Sequence, residues 1–340
     1  MAGAGMAGLA AAAHARERGA SVLLLEKLAR PGGALRLSSG VIWRHARFED
    51  FRAECPEGDP ALQRLIHERL DGDLAWLEAL GAPVAERNSG NPRTTGWRFD
   101  PEGLTAALTA AAGAPQTLAA LRQRPADGPP VILATGGFAA SRAMLALHVT
   151  PEAEHVLIRT APGATGDGLR LGLQAGARLG PGLDQVCARL MPAARVAPQD
   201  FVAAAQLYAR EAVVTNAQGE RFEAKAWSEI DVAQWAARQR HARVWLQVPR
   251  DKLEGQVEAM VATAERLGAP VQRSAAGAVV ECVAGVTTTL GGLRVDERAQ
   301  AAPGVYAAGH DAGGVATGGY ASGLAAALVL GRVAAESALR

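Results

Sequence analysis

Cysteine is scarce in this chain: there are three in 340 residues, Cys55, Cys187 and Cys282, widely spaced and without a CxxC pair. That excludes a disulfide framework, a metal knuckle and a dithiol redox centre, and it fits reduced thiols in a cytosol. Net charge is nearly absent as well, since 35 basic against 34 acidic residues leave +1. Such a balance carries no electrostatic footprint for nucleic acid or an anionic membrane. Hydrophobic residues make up 49%, yet their runs are broken by Gly, Arg or Asp and none reaches the roughly eighteen residues that span a bilayer. The N-terminus has no basic stretch followed by an apolar run and a cleavage site. No repeat of fixed period is present, and alanine enrichment is the only compositional bias. The expectation is a soluble, cytoplasmic protein without metal, with enough chain for two domains, each with its own core.

What is abundant is glycine, and its placement is informative. Gly3-Ala4-Gly5-Met6-Ala7-Gly8 has the spacing of a dinucleotide-binding turn. In such a turn the first glycine permits the bend, the second lets backbone approach a pyrophosphate, and the third lets a helix pack close to the sheet. The following helix N-terminus offers free N–H groups and a positive dipole end to the anion. The alanine-rich stretch from Met6 to Arg18 reads as that helix, closed by Gly19. Ser21-Val22-Leu23-Leu24-Leu25-Glu26 then reads as a short strand buried on both faces and ending in an acid. Glu26 stands about where a carboxylate accepts from the hydroxyls of an adenosine ribose; the alternative is a surface acid at a strand end.

Further on, Asp59 as N-cap, Pro60 at the first helical position and apolar residues from Leu62 to Leu80 at spacings of three and four predict a helix ended by Gly81. Asp100-Pro101 opens another that runs to about Ala112. Val131 to Gly137 predicts a second buried strand running into a glycine pair, Thr165-Gly166-Asp167-Gly168 the start of a helix that ends near Gly180, and Lys252 to Leu267 an amphipathic helix. In the last third, the strand Gly304 to Gly309 is followed by Gly313-Gly314, Gly318-Gly319-Tyr320 and a long helix through Ala334. Glycine of that density lets backbone come close to something flat and bulky, with a helix N-terminus aimed at it. A linker would not sit between an apolar strand and an apolar helix.

Taken in order, the Gly3 motif, Glu26, Gly32-Gly33, Ala134-Thr135-Gly136-Gly137, Thr165 to Gly168, Gly291-Gly292 and the Gly304 to Tyr320 segment resemble the fumarate reductase/succinate dehydrogenase flavoprotein superfamily, which includes the 3-ketosteroid dehydrogenases. The resemblance covers nearly the whole chain. It implies an α/β fold in which a Rossmann-like, discontinuous FAD-binding domain, residues 1–140 and 286–340, is interrupted by an α+β capping domain, residues 141–285, with the flavin between them. It also implies roles. Gly3, Gly5 and Gly8 would cradle the pyrophosphate and Glu26 would bind ribose. Gly32, Gly33, Ser38, Ser39 and Gly40 would line the ribityl chain and isoalloxazine, with Gly136 in the second glycine pair also at the cofactor. Gly309 through Gly314, with Gly319 and Tyr320, would flank the flavin pyrimidine, where a helix N-terminus stabilises the charge gathered on reduction. Where the family has Glu after Ala-Ala-Gly, this chain has His310 followed by Asp311, which is expected to take over the acidic role.

Three departures from the family shape the functional expectation. The strand that should lead into Gly3 is missing, and an upstream start is its simplest source. The three-stranded meander before Val131 is much shortened. The histidines of fumarate reductases are replaced by Thr287-Thr288-Thr289-Leu290, and their cap arginine has no convincing match after Asn216 to Phe222. The resemblance therefore points away from fumarate reduction and towards FAD-dependent hydride transfer at a carbon–carbon bond of a small organic substrate, as a dehydrogenase or ene-reductase with an unassigned electron partner. A degenerate or truncated, non-catalytic flavoprotein is the competing expectation. Tyr320 suits a clamp or acid role, since a phenol donates to a carbonyl, or it is an aromatic wedge. Arg221 is the candidate cap arginine, or part of a structural turn; Arg189 and Arg195 flank a segment aligned with the reductases' substrate site. The flavin is expected to be non-covalent, because Ala34 to Trp43 contains no histidine and His45 lies just beyond.

Overall fold

The computed structural model describes residues 1–123 and 128–340. The expected reduction of the meander falls partly on residues 124–127, outside the described residues. The chain is mixed α/β and divides into two compact units, Met1–Ala140 with Ala161–Gln185 and Thr289–Arg340, and Ser141–Thr160 with Val186–Thr288. No helix among the described residues is long and apolar enough to cross a membrane.

In the first unit the strand Val131–Leu133 pairs in parallel with Val305–Ala307, which pairs antiparallel with Gln300–Ala302. The sheet is continued on the other side by single bridges: Ala2 is bridged in parallel to both Leu133 and Leu25, and Leu25 in turn to Gln116. Met1–Gly3 thus occupies the place of an opening strand, between two neighbours. The segment 21–26 differs from the strand expected of it. It is not a strand and forms a bridge only at Leu25, and Leu23 is 55% exposed. Only Leu24 and Glu26 of the segment are buried, so apolar composition alone did not make it a doubly covered strand.

The helix Met6–Glu17 leaves the bridged segment at once and is buried from Met6 to Ala15. Alanine lets its neighbours come close: a Cβ on Gly331 of the last helix, Gly323–Ala338, would lie 2.5 Å from Ala7 O. The helices Pro60–Ala79 and Pro101–Ala112 start where Asp59 and Asp100 predict, and each aspartate accepts from backbone N–H groups of the first turn. The helix after Thr165 is shorter than expected, Asp167–Gln174, and that after Lys252 runs Gly255–Arg266. A separate antiparallel sheet orders Val41–His45, Thr94–Phe99 and Val84–Glu86. In the second unit the strand Gly277–Thr289 is the spine of a seven-stranded sheet, pairing antiparallel with Val271–Ser274 and Arg243–Pro249; Val213–Thr215 and the edge strand Arg221–Phe222 follow.

Candidate cofactor and active site

The Gly3 to Gly8 turn is built by contact. A Cβ on Gly8 would stand 1.8 Å from Gly3 O, and one on Gly3, at φ +98°, 2.2 Å from Ala134 O, so both positions require glycine. Gly5 is different. A Cβ there would meet only Gly32 O at 3.9 Å, and one on Gly33 only Gly5 Cα at 3.6 Å; both residues border open space. Gly5 and Gly32 are bridged, and Gly32 N–H donates to Ala4 O at 2.7 Å. Gly5 is the N-cap of the buried helix, which has no side-chain cap and no acid in its first turn. Because Leu9 N–H is the first to reach back to Gly5 O, the preceding amides stay available for an anion.

Glu26 lies beside this turn, 7% exposed. Its Oε2 accepts from Ala4 N–H at 2.7 Å and its Oε1 from Leu28 N–H at 2.8 Å. Those bonds orient the carboxylate and leave further lone pairs for hydroxyl donors. Lys27 Nζ donates to Thr165 Oγ1 at 2.6 Å and to Asp167 Oδ2 at 2.7 Å, tying the end of segment 21–26 to the Thr165 motif. Ser39 is exposed, in the loop before Val41–His45.

Asp311 is fully buried and binds the Ala134 to Gly137 motif, against which Gly168 is also held. Thr135 N–H donates to its Oδ2, Thr135 Oγ1 to its Oδ1 at 3.1 Å, and Gly137 N–H to its Oδ1 at 3.0 Å. Gly168 N–H donates to Thr135 Oγ1 at 2.9 Å, and a Cβ on Gly168 would stand 2.2 Å from Asp311 Oδ2. The carboxylate is thus engaged with backbone at Thr135 and Gly137. Burial pushes its carboxyl above the usual range, against the pull of the Thr135 and Gly137 donors. Gly136 between them borders open space, with Ala164 Cβ 3.6 Å from an added Cβ. Gly309 sits against Ala7. His310 places Nε2 over the start of the last helix, 2.8 Å from a Cβ added to Gly323; enclosure lowers its pKa to about 4.

Gly319 packs its backbone on Glu54 O, 1.7 Å from an added Cβ. Tyr320 follows, its ring centroid 5.3 Å from that of Trp43. His45, 2% exposed, stacks on Phe51 at 5.1 Å and places Nε2 3.3 Å from Tyr320 O. Burial lowers the His45 pKa, partly opposed by the Tyr320 carbonyl.

Arg221 belongs to the second unit. It is exposed, paired with Thr215 across an edge strand. Arg195 is exposed and Arg189 half-buried, its Nη1 donating to Ala188 O at 3.0 Å. Arg159 escaped the sequence reading: its guanidinium donates to Phe201 O and, at 3.0 Å, to Thr287 Oγ1. Thr289, 1% exposed, has an Oγ1 without a partner among the described residues, and a Cβ on Gly137 would lie 2.5 Å from it. An uncapped helix start, glycines bordering open space and an unsatisfied hydroxyl fit a large ligand with an anionic centre and polar edges. No group of acids, histidines and cysteines that could hold a metal is present among the described residues.

A sequence model of the FAD binding domain matches residues 1–124 and 117–325. No curated protein matches the sequence. Similar solved structures include the open form of a flavocytochrome c3 fumarate reductase, 20% identical over 99% of this chain and 77% of that one, with a TM-score of 0.72. A 3-ketosteroid Δ4-(5α)-dehydrogenase from Rhodococcus jostii RHA1 is 18% identical over 99% and 95%, with a TM-score of 0.71. A 3-ketosteroid Δ1-dehydrogenase from Sterolibacterium denitrificans is 15% identical over 99% and 98%, with a TM-score of 0.72. At these identities the likeness is one of fold.

Two outcomes are expected from this geometry. Asp311→Ala orphans the Thr135 and Gly137 amides and should cost about 1–3 kcal/mol per unsatisfied group. Gly168→Ala alone collides with the carboxylate, whereas the double variant gives the new methyl the vacated space. Denaturant unfolding of the four proteins should show the double variant less destabilised than the sum of the singles; additivity would refute the contact. His310 generates the second. Its folded pKa, about 4, lies below the ordinary value of 6.5, so the folded state resists the proton. The stability it supports is complete above pH 6.5 and declines as pH falls towards 4. His310→Gln should flatten the Tm profile across that window.

Proposed function

Because the chain belongs to the FAD binding domain family and is an FAD-dependent oxidoreductase, we propose that it moves hydride between FAD and a carbon–carbon bond of a small organic substrate activated by a carbonyl. The observation that carries the reading is the uncapped start of helix Met6–Glu17, with Gly5 and Gly33 bordering open space and Glu26 oriented beside it. In this reading the first unit contains a Rossmann-like nucleotide site. The Met6 to Gly8 amides hold the pyrophosphate, Glu26 accepts from ribose, and the Gly32-Gly33 loop with Ser39, Gly136, Gly309 and Gly319 borders the remaining length of the cofactor. When bound, FAD supplies a two-electron carrier. Asp311 acts through backbone, fixing Gly136 between two anchored amides.

The carbonyl substrate class draws support from the two similar steroid dehydrogenases, whose structures hold 4-androstene-3,17-dione and 1,4-androstadiene-3,17-dione. A carbonyl conjugated to the reacting bond gathers negative charge as hydride is exchanged, and a positioned phenol stabilises it by donating a proton or hydrogen bond. Tyr320 is the residue proposed for that task. Its ring lies against Trp43 and its carbonyl near the His45 imidazole, which restricts how the phenol can turn. Arg221 remains the candidate for a second polar clamp. His45 is buried and stacked on Phe51, which supports a non-covalent flavin.

Tyr320→Phe should keep FAD and Tm while slowing substrate-driven flavin reduction by about 10²–10⁴. An aromatic wedge predicts the reverse: Phe retains wild-type rate and Tyr320→Ala lowers flavin content and stability together. Stopped-flow absorbance with ketosteroids and simple enones reads both, and a flavin that no such substrate bleaches in the wild type would favour a non-catalytic flavoprotein. Acid precipitation should release the flavin into the supernatant; yellow colour kept on the pellet would show a covalent bond.

A further inference from the structure

A cavity of about 630 Å³ in the first unit is lined by Arg178, Arg294 and Arg298, and none of its residues belongs to the cofactor cradle described above. Its volume is that of a small-molecule site. Two of the arginines are brought together by a short antiparallel ladder. Gly180 N–H donates to Gly292 O and Arg294 N–H to Arg178 O, both at 2.8 Å, and Leu179 is bridged to Leu293. Arg178 and Arg294 are therefore directly opposite one another, and opposite residues share a face of the ladder. Leu293, one position along, takes the other face and is fully buried.

Like charges directly opposite each other destabilise a ladder, and nothing in the chain relieves this pair. None of the three guanidiniums forms a hydrogen bond or ion pair among the described residues. Arg298 is carried by a tight turn in which Asp296 Oδ1 accepts from Arg298 N–H and Gln300 N–H, each at 2.9 Å. The buried Ala299 beside it is held at φ +58°, a left-handed backbone that alanine adopts only where its surroundings fix it. Of the acids in the lining, Asp296 is thus engaged with backbone, and Asp59 Oδ1 accepts from Ala61 N–H at 2.8 Å. Glu297 is the remaining carboxylate, and it too forms no ion pair among the described residues.

We propose that this cavity binds a small polyanion with clustered phosphate or carboxylate oxygens, which bridges Arg178 and Arg294 and reaches Arg298. A guanidinium is permanently charged and presents paired donors that match such oxygens two at a time. A monoanion engages one such fork; relieving the opposed pair takes oxygens that meet both. Glu297 works against the ligand and limits its affinity. The proposal does not rest on the reaction proposed for the cofactor site, and its readouts do not depend on turnover.

The test titrates the FAD-loaded chain by calorimetry at low salt with tripolyphosphate, with citrate and, as a monoanion, with acetate. Tripolyphosphate or citrate is expected to bind saturably where acetate does not, and the tighter of the two tells phosphate from carboxylate chemistry. Arg178→Ala and Arg294→Ala should each weaken that binding by about tenfold or more, and Glu297→Gln should tighten it. All three side chains are exposed, so the variants keep the fold; without anion, Arg178→Ala should melt no lower than the wild type, since it removes a repulsion. The proposal is overturned by titrations that never saturate, by unchanged affinity in both arginine variants, or by an equal loss in Arg266→Ala, an exposed arginine of the second unit. Flavin absorbance should stay constant throughout; release of FAD would place the anion in the cofactor turn and overturn the proposal as well.

Discussion

Three glycine-rich segments far apart in the chain meet at the Asp311 carboxylate. Its oxygens are shared between the Thr135 and Gly137 amides and the Thr135 hydroxyl, and that hydroxyl accepts from Gly168 N–H. A buried carboxylate is costly unless it is supplied with donors, and here the donors are the backbone of the turns themselves. Holding those turns in place holds the glycine at 136, beside open space. The start of the Thr165 helix and the strand end at Leu133 are drawn into the same arrangement. Gly168 has to be glycine for this reason, since no side chain fits against the carboxylate.

The other constraint is the central position of Met1–Gly3. A segment of so few residues bridges Leu25 on one side and Leu133 on the other, and it delivers the chain directly to the Gly3 turn and the buried helix. Segment 21–26 depends on it for one neighbour and on Gln116 for the other. An apolar run that composition reads as doubly buried leaves Leu23 55% exposed. Glu26 still reaches its place, because its two oxygens are tied to the Ala4 and Leu28 amides by bonds that need no extended ladder.

Much of the fold was legible. The helices after Asp59 and Asp100 begin at a side chain that bonds the first turn, followed by proline, and such caps are local chemistry. The turn at Gly3 and Gly8 and the glycine at 137 were legible for a related reason: close backbone approach admits few residue types. The backbone geometry of the glycine turns was legible, and the partners of the buried side chains were not. Asp311 looked like an acid aimed at the flavin, yet it binds backbone, and nothing in the order of residues distinguishes those two partners. Arg159 and Thr287, 128 positions apart, carry no signature at all.

The sequence by itself determined the class of cofactor and the local starts and stops of helices, because those follow from contacts within a few residues or from steric limits that only glycine meets. Tertiary structure alone decided which turns the buried Asp311 staples, which apolar run is covered, and where the Tyr320 ring lies. Those outcomes depend on donors, walls and neighbours brought from elsewhere in the chain, and a carboxylate or a leucine is indifferent to its role until they arrive.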